Sequence, residues 1–101
     1  MKNNDMQRAK ELFGSGNYTC VLCKGDEIIT STERGVKPLL TWLEGKGSVK
    51  GFSAVDKVVG RAAAFLYVLL EVDEVYADVM SRGAVDVFSE YAIPSSYGVC
   101  V

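Results

Sequence analysis

The most apolar segment of the chain, residues 57–70, carries charge only at Lys57 and Arg61 and predicts a central helix enclosed by the rest of the fold. Apolar side chains fall on nearly every side of this helix, whereas a surface helix carries a single apolar stripe, so we expect it to be covered on most sides. It is shorter than the roughly 20 apolar residues of a membrane span. Asp56 is expected to cap it, directly after a short buried strand at 52–55. Gly60 is expected to let its backbone lie close to neighbouring groups.

Apolar spacing divides the chain before this segment into a helix, a hairpin and a second helix. The first helix is predicted to start at Asn4 or Asp5 and to end at the glycines of 14–16. Two short strands, 18–23 and 27–31, flank a link that contains glycine, and they predict a hairpin. Thr30 and Glu33 have the spacing of a capping box, which predicts that the second helix begins beside them.

After the central helix, the pattern predicts a strand at 74–80, a helix capped by Ser81 and a last strand at 97–101. An alternation of strands and helices requires right-handed crossovers and favours parallel pairing. We therefore predict an α/β fold, a three-layer α/β/α sandwich. It has a mostly parallel five-stranded sheet with an N-terminal hairpin, and it forms one domain over residues 1–101.

Composition excludes several classes of partner. At 49% hydrophobic residues the chain can form a packed core. The net charge is only −2 and the 11 Lys and Arg residues are scattered, which argues against nucleic-acid binding. The polar N-terminus lacks the apolar core of a signal peptide, and no segment is long enough to span a bilayer. We therefore expect a cytoplasmic protein with no membrane partner.

The spacing of Cys20 and Cys23 matches C-x-x-C, a pattern of zinc sites and redox pairs. Both residues fall in a predicted strand, where side chains three positions apart point to opposite faces. The two thiols therefore cannot converge on one metal, and they are predicted to be ordinary buried residues. Histidine, the commonest metal ligand and general base, is absent from the sequence. We expect no metal and no cofactor.

The strings YTCVLCKGDEIITSTERGVKPLL, AVDKVVGRAAAFLY and SSYGV resemble an uncharacterised prokaryotic family of unknown function, from about Ala9 to Val101. The resemblance implies a cytidine-deaminase-like fold, with which the predicted order of elements agrees. Zinc deaminases place a His or Cys with a Glu at the start of the second helix, and Pro-Cys-x-x-Cys at the start of the third. Here only Glu33 matches, at the place of the proton shuttle, so the resemblance does not imply zinc chemistry.

The candidate site lies where the second and third helices begin, at the ends of the predicted parallel strands. Exposed N–H groups and helix dipoles there favour an anion. The residues expected to contribute to a ligand site are Glu33, Arg34, Asp56, Lys57, Gly60 and Arg61. The alternative is structural: Asp56 and Glu33 act only as helix caps, and Arg61 neutralises one of them. Trp42 and Tyr67 are predicted to be core residues.

Three functions fit these residues. The preferred one is a non-catalytic domain that binds a small anionic or nucleotide-like ligand. The second is a structural or oligomerisation module without a ligand, and the third is a zinc-free enzyme that uses Glu33 or Asp56 as its base and Lys57 or Arg61 to stabilise charge. The apolar strand 97–101 has an outer edge that invites pairing, so we also expect a homo-oligomer.

Overall fold

A computed structural model describes residues 3–33, 35–45 and 49–101 of the chain. The described residues form four helices and five strands that alternate after an N-terminal helix and a hairpin. In chain order the elements are α1 (Asn3–Ser15), β1 (Cys20–Lys24), β2 (Glu27–Ser31), α2 (Lys37–Glu44), β3 (Ser53–Val59), α3 (Arg61–Leu70), β4 (Glu74–Met80), α4 (Arg82–Glu90) and β5 (Ser95–Cys100).

The five strands form one mixed sheet in the order β2-β1-β3-β4-β5. β1 pairs antiparallel with β2 and with β3, whereas β3–β4 and β4–β5 are parallel pairs. The predicted hairpin is confirmed, but the expectation of a mostly parallel sheet has to be corrected. The reason is that the hairpin joins the sheet through β1, which runs opposite to both of its neighbours. Strand–helix–strand crossovers set the direction only from β3 onward.

Helices cover both faces of the sheet. Helix α1 packs on β1 and β3 around a small cluster that contains Ala9, Val21, Cys23 and Val55. Helices α2, α3 and α4 lie on the other face, over a larger core that includes Leu22, Ala54 and Phe88. None of the described helices is both long and apolar enough to cross a bilayer.

The third helix begins later than its apolar run predicts. Strand β3 continues through Asp56 to Val59, and α3 begins only at Arg61 after Gly60, which has the extended backbone of an N-cap residue. The β-branched pair at 58 and 59 favours the strand and explains the difference. The prediction that Asp56 caps this helix is therefore wrong. Enclosure is also incomplete, since Leu69 on the outer side of α3 is 61% exposed.

The predicted capping box before α2 is also wrong. Thr30 belongs to β2, and α2 begins at Lys37 after Val36, which has no capping side chain. The chain turns between them at Gly35, whose φ of 68° is in the left-handed region that favours glycine. The cap predicted for α4 is confirmed, because the Ser81 hydroxyl accepts a hydrogen bond of 3.0 Å from the N–H of Ala84.

Candidate functional site

A cleft of about 640 Å³ opens at the carboxyl end of β3. Four segments enclose it: the start of β1, the connection from β2 to α2, the end of β3 and the first turn of α3. Its volume is within the range of small-molecule sites, roughly 300–1,000 Å³. The lining residues are Asn17, Thr19, Cys20, Thr32, Glu33, Gly35, Val36, Pro38, Asp56, Lys57, Val58, Gly60, Ala62 and Ala63.

A chain of hydrogen bonds connects the cleft to the core. The hydroxyl of Tyr67, which is fully buried in α3, donates to Oδ2 of Asp56 at 2.7 Å. The same hydroxyl lies 3.2 Å from Sγ of Cys20. Since the single hydroxyl proton is used on Asp56, the Cys20 thiol is the donor in that contact. The other carboxylate oxygen of Asp56 accepts a hydrogen bond of 2.7 Å from the backbone N–H of Lys57.

Burial controls the protonation of this network. Removal from water raises the pKa of Asp56 from 3.8 to about 6, although hydrogen bonds from Tyr67 and from the N–H groups of Lys57 and Val58 lower it. Burial also raises the pKa of the Cys20 thiol and of the Tyr67 hydroxyl, and the nearby Asp56 charge adds to both effects. At neutral pH, Asp56 is therefore mainly ionised, whereas Tyr67 and Cys20 keep their protons.

Four of the predicted site residues line this cleft: Glu33, Asp56, Lys57 and Gly60. Glu33 lies in the connection before α2, where its carboxylate pairs with Lys37 at 3.4 Å. The sequence predicts Asp56 and Lys57 at the start of a helix, but the structure places both at the end of β3, from which they reach the cleft. Gly60 precedes α3.

The remaining two predicted residues are not placed in the cleft. Arg61 turns away from it and packs against Gly83 near the start of α4, so it does not lie beside Lys57 on one helix face. Arg34 is outside the residues that the structure describes. The expected close approach of other protein groups at Gly60 is wrong, because apart from its two chain neighbours no described atom lies within 4 Å of where its Cβ would stand.

The first turn of α3 presents backbone donors to the cleft. Gly60 has no side chain with which to cap the helix, and the first hydrogen bond of the helix runs from the N–H of Ala64 to the carbonyl of Gly60. The N–H groups of the preceding residues have no partner within the helix. Two of these residues, Ala62 and Ala63, line the cleft. This end of α3 can therefore interact with a negatively charged group.

Sequence reasoning missed Cys20 and Tyr67 as parts of the site. The sequence predicts both as buried residues, and both are buried, but the Tyr67 hydroxyl bonds the carboxylate at the cleft and the Cys20 thiol bonds that hydroxyl. The signal was available for Tyr67, because the hydroxyl of a buried tyrosine usually finds a hydrogen-bond partner. For Cys20 the sequence offered only the alternation of a strand, which correctly puts Cys20 and Cys23 on opposite faces.

Fold and cleft together define a small α/β protein with a ligand-sized opening at the carboxyl end of a central strand. Within the described ranges, no three His, Cys, Asp or Glu side chains come together as a metal site. The chain belongs to the TM1506 family, a domain of unknown function (DUF1893), which matches residues 8–101.

A solved relative supports this assignment. The chain is similar to the crystal structure of a DUF1893 family protein (TM1506) from Thermotoga maritima, with a TM-score of 0.89 and 26% identity. The match covers all of this chain and 69% of that chain. Comparison with curated proteins gives no match.

Proposed function

We propose that the protein is a non-catalytic domain that binds a small anionic or nucleotide-like ligand in the cleft at the carboxyl end of β3. The observation that carries this proposal is a cleft of about 640 Å³ that combines an apolar wall with a few convergent polar groups. Small-molecule sites in proteins have this combination, and in open α/β sheets they favour the carboxyl ends of the strands.

The ends of the cleft differ in chemistry, which suits a ligand with two kinds of polar group. The uncapped turn at Ala62 and Ala63, together with the exposed Lys57, supports contacts to a phosphate or carboxylate. The Asp56 carboxylate supports contacts to hydrogen-bond donors. A nucleotide-like molecule carries both groups, whereas a simple anion uses only the first.

We further propose that the scaffold is related to the cytidine-deaminase fold, without its zinc ligands. The order of helix, hairpin, helix and three strand units agrees with this relationship. At the two helix starts where zinc deaminases carry their ligands, this chain offers Glu33 before α2 and the end of β3 with Gly60 before α3. The cleft occupies the region between them, which supports a binding role.

A thermal-shift titration with inorganic phosphate and nucleoside monophosphates tests the binding proposal. At least one of these ligands should raise the melting temperature of the parent protein, and the rise should grow with the logarithm of ligand concentration once the ligand exceeds its Kd. Lys57→Ala should weaken the affinity obtained from the titration about tenfold, as expected for the loss of one charge-assisted contact. Arg61→Ala is the matched control, because Arg61 faces α4, and it should respond like the parent. If no ligand stabilises the parent, the binding proposal is wrong.

The second candidate function is an oligomerisation module, and the exposed edge of the sheet favours it. Strand β5 pairs only with β4 among the described strands, and Val99 on it is 55% exposed. An unpaired edge of this kind is suited to strand addition from a second copy. Light scattering at tens of micromolar protein measures the outcome directly, and a monomer there would contradict this candidate.

A further inference from the structure

The charged groups of the cleft point to a particular ligand chemistry. Two carboxylates, Glu33 and Asp56, line it, and Lys57 is the only Lys or Arg among the described lining residues. Glu33 already has Lys37 as its partner, at 3.4 Å. Asp56 differs, because no Lys or Arg of the described residues forms an ion pair with it. A largely buried carboxylate without a cation is costly, and such groups are concentrated at functional sites.

The hydrogen bonds around Asp56 all have the same direction. Cys20 donates to Tyr67, Tyr67 donates to Oδ2 of Asp56, and the N–H of Lys57 donates to Oδ1, while the N–H of Val58 is a further backbone donor. The protein therefore treats Asp56 as an acceptor on both oxygens. A carboxylate offers about four acceptor positions, so capacity remains for a further donor. Cys20 from β1 and Tyr67 from α3 occupy the core side of the carboxylate. A further donor can therefore approach Asp56 only from the cleft.

We propose that Asp56 is the specificity-determining residue of the cleft and accepts a hydrogen bond from an N–H group of the ligand, so that preferred ligands carry an amino or amidine nitrogen. This inference rests on the proposed function, because it names the ligand class of the same cleft. A site built to bond such a group rejects an analogue that lacks it, since the carboxylate is then left without its donor. Tyr67 holds the carboxylate in place and is a positioning residue.

Two pyrimidines of nearly the same shape test the proposal. Binding of 2-aminopyrimidine and of 2-methylpyrimidine is followed by amide chemical shifts of Lys57, Gly60 and Ala62 near neutral pH. The parent should bind the amino compound about tenfold more tightly than the methyl compound, which is the effect of one good hydrogen bond to a charged group. Equal affinity for the two compounds would overturn the proposal.

Variants separate the carboxylate from the rest of the fold. In Asp56→Asn one amide oxygen must serve Tyr67, Lys57 and the ligand, so the preference for the amino compound should fall to within about twofold. Asp78→Asn makes the same change at an exposed position of β4 and should keep the full preference. Tyr67→Phe removes the hydrogen bond that holds the carboxylate in place, so the preference should fall to a value between those of the parent and of Asp56→Asn. A preference that persists in Asp56→Asn would refute the role of Asp56.

A pH titration of the parent provides the same test if Asp56→Asn does not fold. Because the pKa of Asp56 is about 6, its carboxylate is protonated below that pH, and the preference for the amino compound should disappear there. A preference that is unchanged at acidic pH contradicts the proposal. If inorganic phosphate shifts the cleft amides and neither pyrimidine does, this inference fails and the proposed function stands. If none of the three probes shifts them, both fail.

Discussion

Replacement of Asp56 by Asn removes a buried charge while nearly keeping the volume of the side chain. Burial raises the pKa of this carboxyl from 3.8 to about 6, so the folded protein binds a proton more tightly than the unfolded chain between these values. Stability falls with rising pH wherever the folded state binds more protons. The contribution of Asp56 to the unfolding free energy of the parent should therefore be largest below about pH 4 and should be lost as the pH rises through about 6.

The size of the effect follows from the same values. The full rise in pKa corresponds to about 3 kcal/mol of unfolding free energy. Between about pH 4.5 and about pH 8, the parent should lose about 2 kcal/mol from this one group, and the uncharged variant should lose none of it. At the higher pH the variant is freed of the buried charge but gives up a hydrogen bond to Tyr67 or Lys57, which costs about 1–3 kcal/mol. The difference in pH slope is therefore a sharper signal than the difference in stability at one pH.

Urea unfolding across this pH interval, followed by Trp42 fluorescence and circular dichroism, measures the slope. The parent and Asp78→Asn should show the same loss of stability with rising pH, and Asp56→Asn should show about 2 kcal/mol less. If the curves of the parent and Asp56→Asn run parallel, the carboxylate at the cleft does not have the raised pKa on which the reasoning depends.

Three other predictions follow from single residues. Gly60→Asp should cap α3 and stabilise the protein by about a few tenths of a kcal/mol, while charge repulsion weakens phosphate binding by about tenfold or more. Calorimetric titration measures the phosphate affinity, and undiminished binding would show that the anion binds elsewhere. Ser81→Ala should cost about 1 kcal/mol by removing the cap of α4, a fall of about 4–8 °C in melting temperature; an unchanged melting temperature contradicts the assigned cap. Protein purified without chelator should contain far less than one equivalent of zinc, because Cys20 and Cys23 face opposite sides of β1; one equivalent by elemental analysis would disprove this.

Residues with a strong local preference were predicted well from the sequence. Alternation of polar and apolar positions gave the bounds of β4, Glu74–Met80, and a serine before an apolar period gave the cap of α4. Opposite orientation of Cys20 and Cys23 also follows from local geometry alone. Each of these features depends on neighbours within a few positions along the chain.

Features that depend on distant pairing were not predictable in the same way. The position of Asp56 illustrates this, because an aspartate before an apolar run equally fits an N-cap and a strand, and pairing of β3 with β1 and β4 decides for the strand. That choice moves Lys57 onto the strand and turns Arg61 toward α4, so these two predicted cations do not meet in the cleft. The bond from Tyr67 to Asp56 joins residues 11 positions apart, and no periodic pattern reveals it.

The unequal depth of the three cysteines gives the protein a natural site for chemical labelling. Thiolates are the reactive form, and burial raises the pKa of both Cys20 and Cys23, so these two resist alkylation in the folded state. Cys100 is partly exposed at the end of β5. A maleimide fluorophore should therefore attach there first, without any mutation. Its emission would then report whether another chain covers this edge of the sheet.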